Sequence, residues 1–401
     1  MTLFLFWLSV LLLAYVYVGY PVAAWIRALL NPKPHRRAQA EPTVTVVVVA
    51  HNEEGRIAQR LVNLLSLDYP RDKVEILLAS DGSTDRTVER ARRFETAGVI
   101  VRAFHVRRGK SAVLNDVVPS ASGEIVVLAD ARQQFDRGVL RALVANFADD
   151  EVGAVSGELM VTPDPEGAAV EKGVGFYWHY EKWMRKSESR TGSTVGATGA
   201  IYAIRRALFE PFPDDTILDD VLLPLRLVRS GHRVLFEPAA RAFDAASATA
   251  QQEFVRKVRT IAGTFQLLAR ETWLFDPRRN PVWVETISHK ALRLATPMLQ
   301  LAALASNVAL AGTFPYGPTL AAQALFYVAA LGGCVHRPGR RSISLFTVPY
   351  TICLMNCATI VGFLQFVTRR QKATWERVAV PSPASWRPVS PRWTWRQTSR
   401  T

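Results

Sequence analysis

Residues 3–26 contain no charged side chain. A run of about 20 apolar residues is long enough to span a bilayer as a helix, so the stretch from Leu3 to Leu30 is expected to be a membrane anchor. A cleaved signal peptide carries basic residues ahead of a short apolar core. Here the first basic residue, Arg27, follows the run, which favours an uncleaved anchor. Arg27, Lys33, Arg36 and Arg37 then mark the cytoplasmic side, because short basic flanks stay inside. The runs 294–335 and 342–367 are nearly as apolar, whereas 43–290 reads as a soluble domain. The chain thus divides into an anchor (1–31), a cytoplasmic domain (43–270), an interfacial segment (271–290), a transmembrane region (291–367) and a basic tail (368–401).

The formal net charge is +14, and the tail supplies +7 of it through eight Lys/Arg against Glu376. A basic stretch directly after an apolar segment suits anionic lipid headgroups. No nucleic-acid motif is present, so the bilayer is the expected partner of this charge. The cysteines, Cys334, Cys353 and Cys357, all lie in the C-terminal apolar region. They lack further ligands nearby and are expected to pack inertly. Segments near 291–312, 317–335 and 343–367 can each cross. Three crossings would leave the basic tail outside, against the positive-inside tendency. Either the tail breaks that tendency, or 343–367, with Pro349 and Asn356 inside it, enters and returns or lies along the surface.

The middle of the chain alternates strand and helix patterns. "TVTVVVVAHNEE" is a β-branched apolar run that ends in polar residues, as a buried parallel strand does. "VEILLASDGSTD", "VIVRAFHV" and "EIVVLADA" repeat the pattern with helical stretches between them. This βαβαβαβ order predicts an α/β domain with a mostly parallel, Rossmann-like sheet and its ligands at the carboxyl ends of the strands. Further on, "EVGAVSGELMVT" reads as a strand pair, "KGVGFYWHYEKWMRKSESR" as an aromatic-rich helix and "QQEFVRKVRTIAGTFQLLAR" as a basic amphipathic helix. No Gly-x-Gly-x-x-Gly follows the first strand, which counts against an ordinary dinucleotide site. Asp81 and Asp130 each follow an apolar run, and Asp219 and Asp220 stand just before an amphipathic helix. Carboxylates at several strand ends predict one shared cleft.

The order of these motifs resembles glycosyltransferase family 2, the inverting nucleotide-sugar enzymes with a GT-A fold. The resemblance covers about 43–270 and is greatest to membrane-bound bacterial members similar to poly-N-acetylglucosamine, hyaluronan and cellulose synthases. It implies an integral protein of the bacterial inner membrane, a UDP-sugar donor and a glycan or lipid-linked acceptor. In "VVVVAHNEE" it makes Ala50, His51 and Glu53 nucleotide contacts, with loop capping the alternative for His51 and Asn52. In "ASDGSTDRT" it gives Asp81 to the uracil N–H. Ser80 replaces the first Asp of that motif, and Asp85 suits a helix cap. In "RRGKSAVLN" it sets Lys110 beside the diphosphate, unless that lysine is a solvated surface residue.

"VVLADARQQF" occupies the place of the metal-binding Asp-x-Asp. Asp130 stands at the first Asp and Arg132 replaces the second. Mg2+ or Mn2+, held by Asp130 and phosphate oxygens, is the implied cofactor, since a leaving diphosphate needs its charge neutralised. Gly199 in "TGAIYAIRR" would let the acceptor approach the backbone. Trp178 and Trp183 offer faces for a sugar ring or belong to the core.

"LDD" falls where the family carries its catalytic acidic motif. Asp220 is the expected base that takes the acceptor proton, while Asp219 positions the acceptor or caps the helix. "RKVRT" stands where processive members carry Gln-x-x-Arg-Trp, and it sets Arg256 and Arg259 near the diphosphate. Thr260 replaces the tryptophan, so processive and single transfer both stay open. A transporter would place ionisable residues inside its apolar segments, and only Arg293, near an edge, qualifies. An inactive nucleotide-sugar sensor would lack the base, yet Asp220 is present.

Overall fold

The computed structural model describes residues 1–162, 170–245, 250–335, 344–371 and 374. The loop "HRPGRRS" at 336–342 and nearly all of the basic tail lie outside the described residues. The N-terminal apolar stretch is helical. α1 (Thr2–Ala14) and α2 (Tyr20–Leu30) are joined by a π-helical turn at Tyr15–Gly19. Together they form a helix of 29 residues that is apolar enough to cross a membrane.

β1 (Val44–Ala50) is buried along its whole length. Successive side chains of a strand point to opposite faces. Val44, Val46 and Val48 therefore enter one core, and Val47 and Val49 enter the other. α3 (Ile57–Leu65) covers the first face with Ile57, Leu61 and Leu64, the spacing that puts side chains on one helical stripe. β2 (Val74–Asp81), α4 (Thr87–Arg92) and β3 (Val99–Phe104) follow. α5 (Lys110–Val117) covers the opposite face with Val113, Leu114 and Val117. β4 (Ile125–Asp130), the short β5 (Gln134–Phe135) and α6 (Val139–Val144) complete the first half.

The second half contains β6 (Val152–Thr162), α7 (Val170–Thr191), β7 (Ile201–Arg205), α8 (Asp219–Arg229), β8 (Arg233–Ala245) and α9 (Ala250–Arg270). The eight strands form one sheet in the order β3-β2-β1-β4-β7-β6-β8-β5. β3, β2, β1 and β4 are mutually parallel. β7 then runs antiparallel to β4. This is the expected α/β architecture, made mixed by its second half. "EVGAVSGELMVT" is one strand, not a pair. It bends at a register shift between Gly157 and Glu158 and stays paired with β8 on both sides of it, as a bulge permits.

α10 (Trp283–Glu285) and a π-helical turn at Thr286–Ala291 lead into α11 (Leu292–Leu310), α12 (Tyr316–Val335) and α13 (Ser344–Val367). Tyr316–Cys334 and Leu345–Val367 have the length and apolarity to cross a membrane. α13 is one uninterrupted helix of 24 residues, so it does not enter and return. Its Asn356 is tied to α11 through Thr296 Oγ1 at 2.9 Å and Gln300 Oε1 at 2.7 Å. Cys334 and Cys357 are exposed on the outward faces of α12 and α13 and do not pack in an interior as expected. α9 is a connector between the two regions. Gly263 lies against Ile217 and Leu218, just before Asp219, while Phe265 meets Phe363 of α13 at 5.2 Å between ring centroids.

Candidate functional site

The parallel register brings the strand ends to one edge. Ala50 pairs with Ser80, and Val49 with Asp130. β7 enters beside the end of β4, since Ala129 pairs with Ile201. Gly199 and Ala200 are thereby delivered to Asp130. Ligands of open α/β sheets bind at this edge.

Asp81 is fully buried and accepts the backbone amides of Arg108 at 2.7 Å and Gly109 at 2.9 Å. Gly109 has φ 96°, a left-handed conformation that favours glycine. The carboxylate therefore pins the turn that launches α5 and Lys110. Losing it would leave two amides without an acceptor, at about 1–3 kcal/mol for each one buried. His51 is also turned inward, with Nδ1 2.6 Å from the carbonyl oxygen of Asp81. Asn52 accepts the Thr84 amide at 2.8 Å, which is loop capping between the ends of β1 and β2. Glu53 is buried, and its amide donates to Thr87 Oγ1 at 2.7 Å. Asp85 caps the start of α4 by accepting the Thr87 amide at 2.9 Å.

Lys110 is not a solvated surface residue. Its Nζ donates to Asp130 Oδ1 at 3.0 Å and to the Gly199 carbonyl at 3.2 Å, and lies 3.6 Å from Asp219 Oδ2. Burial works against the ammonium, but Asp130, Asp219 and Asp220 outweigh it and hold its pKa above the ordinary lysine value. Burial likewise opposes the Asp130 anion, yet Lys110, Arg132 and Arg60 keep that carboxyl below its usual range. Arg132 itself reaches Asp244 of β8 at 3.3 Å.

α8 starts at Asp219 without any side-chain cap, so Asp219 is not the helix cap that was one expectation. Its Oδ2 instead accepts the Tyr202 hydroxyl at 3.1 Å and faces Lys110. Tyr202 is a member of the site that the sequence did not disclose; its only signal was a polar ring between the aliphatic Ile201 and Ala203. Asp220 differs from its neighbour. Among the described residues its carboxylate accepts no hydrogen bond. A Cβ on Gly199 would lie 2.7 Å from its Oδ2, so only glycine leaves the space it occupies. Burial and then Asp219 push the Asp220 carboxyl up to about 6, against the pull of Lys110, Lys290 and Arg185.

Arg259 on α9 faces the same carboxylates. Its burial lowers its pKa, and Asp219, Asp220 and Asp130 oppose that. Arg256 lies outside this group and contacts Glu253 at 3.7 Å. Trp183 is half-buried, with its ring 6.4 Å from that of Tyr180, and the side chain of Trp178 lies outside the described residues. No cluster of three or more metal-ligating side chains occurs among the described residues. Asp130 offers one oxygen beyond its bond to Lys110. That donor set fits a cation which takes one carboxylate and completes its shell with substrate phosphates and water.

Comparison with known proteins agrees with this geometry. The family model described as "Glycosyl transferase family 2" matches residues 45–212. A beta-monoglucosyldiacylglycerol synthase of Nostoc sp. is 31% identical over 46% of this chain and 41% of its own length. A poly-beta-1,6-N-acetyl-D-glucosamine synthase of Staphylococcus aureus is 24% identical over 65% of this chain and 64% of its own. The chain therefore spans less than two thirds of either relative. A mannosyltransferase from Pyrobaculum calidifontis, solved in complex with GDP-Man and Mn2+, superposes with a TM-score of 0.71 at 25% identity over 91% of this chain and 99% of its own. The sheet edge that gathers Asp81, Lys110, Asp130 and Gly199 belongs to the matched region, and the chain accordingly carries a glycosyl transferase family 2 domain at residues 45–212.

Proposed function

We propose that this protein is a membrane-bound, inverting glycosyltransferase that moves a sugar from a nucleoside-diphosphate sugar, UDP being the expected nucleotide, to an acceptor at the membrane boundary. The observation that carries the reading is the junction of Lys110 with Asp130, Asp219 and the Gly199 carbonyl, with Asp220 seated against Gly199. A cation, a bonded carboxylate and an unbonded carboxylate are the parts a single displacement requires.

The acceptor hydroxyl oxygen attacks the anomeric carbon. The bond from that carbon to the diphosphate oxygen breaks, and its electron pair leaves with the nucleoside diphosphate. The hydroxyl proton passes to Asp220, whose pKa of about 6 suits a base near neutral pH. Lys110 and Arg259 place positive charge where the diphosphate develops its own. Asp219 holds Lys110 and Tyr202 in position. Mg2+ or Mn2+ on Asp130 would add Lewis-acid neutralisation of the diphosphate.

Ala50, His51, Glu53 and Asp81 line the nucleotide end of this reading, and Gly199 and Trp183 the acceptor end. Arg27, Lys33, Arg36 and Arg37 favour a cytoplasmic catalytic domain, by the positive-inside tendency. Thr260 donates its hydroxyl to the Arg256 carbonyl and presents no aromatic platform, which supports transfer of one sugar over processive synthesis. The test is turnover of a panel of labelled UDP- and GDP-sugars by the purified full-length protein. Release of nucleoside diphosphate with a glycosylated product supports the reading. Absence of turnover with every donor and acceptor overturns it.

A further inference from the structure

Residues 209–218 lead into α8 and form neither helix nor strand. The backbone amides and carbonyls of such a segment still need partners. Two helices supply them through side chains. Asn115 of α5 accepts the Phe212 amide at 2.8 Å and donates to the Phe212 carbonyl at 2.8 Å. Ser111, next to Lys110, donates to the Thr216 carbonyl at 2.8 Å. From the other side, Gln266 of α9 accepts the Ile217 amide at 3.1 Å and donates to the Asp215 carbonyl at 3.0 Å. One side-chain amide thus grips the segment just ahead of Asp219. Arg270 adds a two-pronged contact with the Asp215 carboxylate.

These contacts come from one stripe of α9. Arg259, Gly263, Gln266 and Arg270 are spaced by four, three and four residues, which puts them on one face of the helix. A Cβ on Gly263 would lie 2.7 Å from Leu218 and 2.8 Å from Ile217, so this face presses directly on the segment. The other face of α9 is held by α13. A Cβ on Gly362 would lie 2.9 Å from Ile261, and the Phe265 ring lies 5.2 Å from that of Phe363. α9 is therefore backed by a second helix and cannot yield to the segment it holds. Beyond Leu218, the Asp220 carbonyl accepts the Ala197 amide at 2.7 Å, two residues before Gly199. Asp220 hence stands between two fixed points: the grip of Gln266 on Ile217, and the segment that carries Gly199.

We propose that Gln266 is a positioning residue for sugar transfer. By holding Asp215 and Ile217 it sets the entry into α8, so that Asp219 meets Lys110 and Tyr202 while Asp220 stands against Gly199. This rests on Asp220 being the base. Among the described residues, the side-chain hydrogen bonds of Gln266 go to this backbone alone. Its removal therefore acts on the segment and not on the charges of the site. Ser111 and Asn115 keep their hold from α5, so the segment shifts without unfolding. A shift of about 1 Å at a reacting group is enough to cost about 10²-fold in rate.

The test is a double-mutant cycle on purified full-length protein: the parent, Gln266→Met, Asp220→Asn and the double variant. Methionine keeps the length and helix propensity of glutamine and loses both bonds. Each protein is assayed for kcat and donor KM with a labelled UDP- or GDP-sugar that the parent turns over, and thermal melts in detergent check folding. Gln266→Met should lower kcat about 10- to 100-fold, with donor KM changed by no more than about twofold. Added to Asp220→Asn it should cost little more, because the group through which it acts is already gone. Gln266→Glu keeps the acceptor for Ile217 but, ionised, has no donor for the Asp215 carbonyl. Its kcat should fall between those of the parent and Gln266→Met, and it takes the place of Gln266→Met in the cycle should the latter not fold. A kcat for Gln266→Met within about twofold of the parent overturns the proposal. So do losses that multiply in the double variant, since a general structural defect adds to the loss of the base. Failed turnover by the parent refutes the transferase reading and this role with it; turnover with multiplying losses refutes the positioning role alone.

Discussion

Gly199 and Asp220 are in contact across the site. A Cβ at position 199 would stand 2.7 Å from Asp220 Oδ2, closer than real Cβ contacts come. The glycine is therefore required by the side chain it faces. Gly199→Ala should displace the carboxylate and lower transfer by about 10²-fold, the scale of a misplaced catalytic group. Donor affinity should change little. Steady-state kinetics with separate donor binding checks this, and transfer within twofold or so of the parent would refute the close packing as a functional constraint.

Asp220→Asn keeps shape but cannot take a proton. Transfer should fall by at least about 10²-fold, the low end for a positioned general base. Asp219→Asn should cost less, since Asp219 acts by holding Lys110 and Tyr202. Rates and donor affinities of the two purified variants decide the matter; a larger loss at position 219 would reverse the assignment.

Burial and Asp219 raise the Asp220 carboxyl from 3.8 to about 6 in the folded protein. Between those values the folded state binds the proton more tightly than the unfolded chain. The stability this contributes is full below pH 4 and is lost as pH rises through about 6. Asp220→Asn should therefore melt higher than the parent at pH 7.5, and the difference should vanish near pH 4. Transfer by the parent should rise with pH through an apparent pKa near 6. Thermal melts in detergent and a pH–rate profile read both effects. A flat rate profile across that range would detach Asp220 from the proton transfer.

Chelation should lower turnover, and Mg2+ or Mn2+ should restore it, because Asp130 has an oxygen to offer beyond Lys110. The chelator is added to purified protein with the donor present. Undiminished turnover would mean that Lys110 and Arg259 neutralise the diphosphate on their own.

The protein should remain in membranes through high-salt and alkaline washing, given three helices among the described residues with the length and apolarity to cross. Immunoblots of the washed pellets report this. Full-length protein in the supernatant would mean that none of these helices is inserted.

Periodicity alone disclosed the strands, because Val44 to Ala50 and their parallel partners are apolar for a local reason: both faces of the sheet are covered. It also disclosed that Asp81 and Asp130 end such strands, which places them at one edge in any parallel arrangement. The order of the motifs did the rest for Lys110 and Gly199. What these residues do to one another was not legible. Asp219 and Asp220 are adjacent in the chain and equivalent in pattern. Only the turn into α8 gives one of them Tyr202 and Lys110 as partners and leaves the other unbonded against Gly199. Arg132 turns to Asp244, over a hundred residues away, through the β5–β8 pairing beside it. Arg185, which donates to Thr198 beside Gly199, comes to the site from an element that no periodicity connects to it. Local pattern determines which face of an element is buried, whereas charge partners are determined by chain reversals between distant elements, and those exist only once the sheet and the apolar helices have packed.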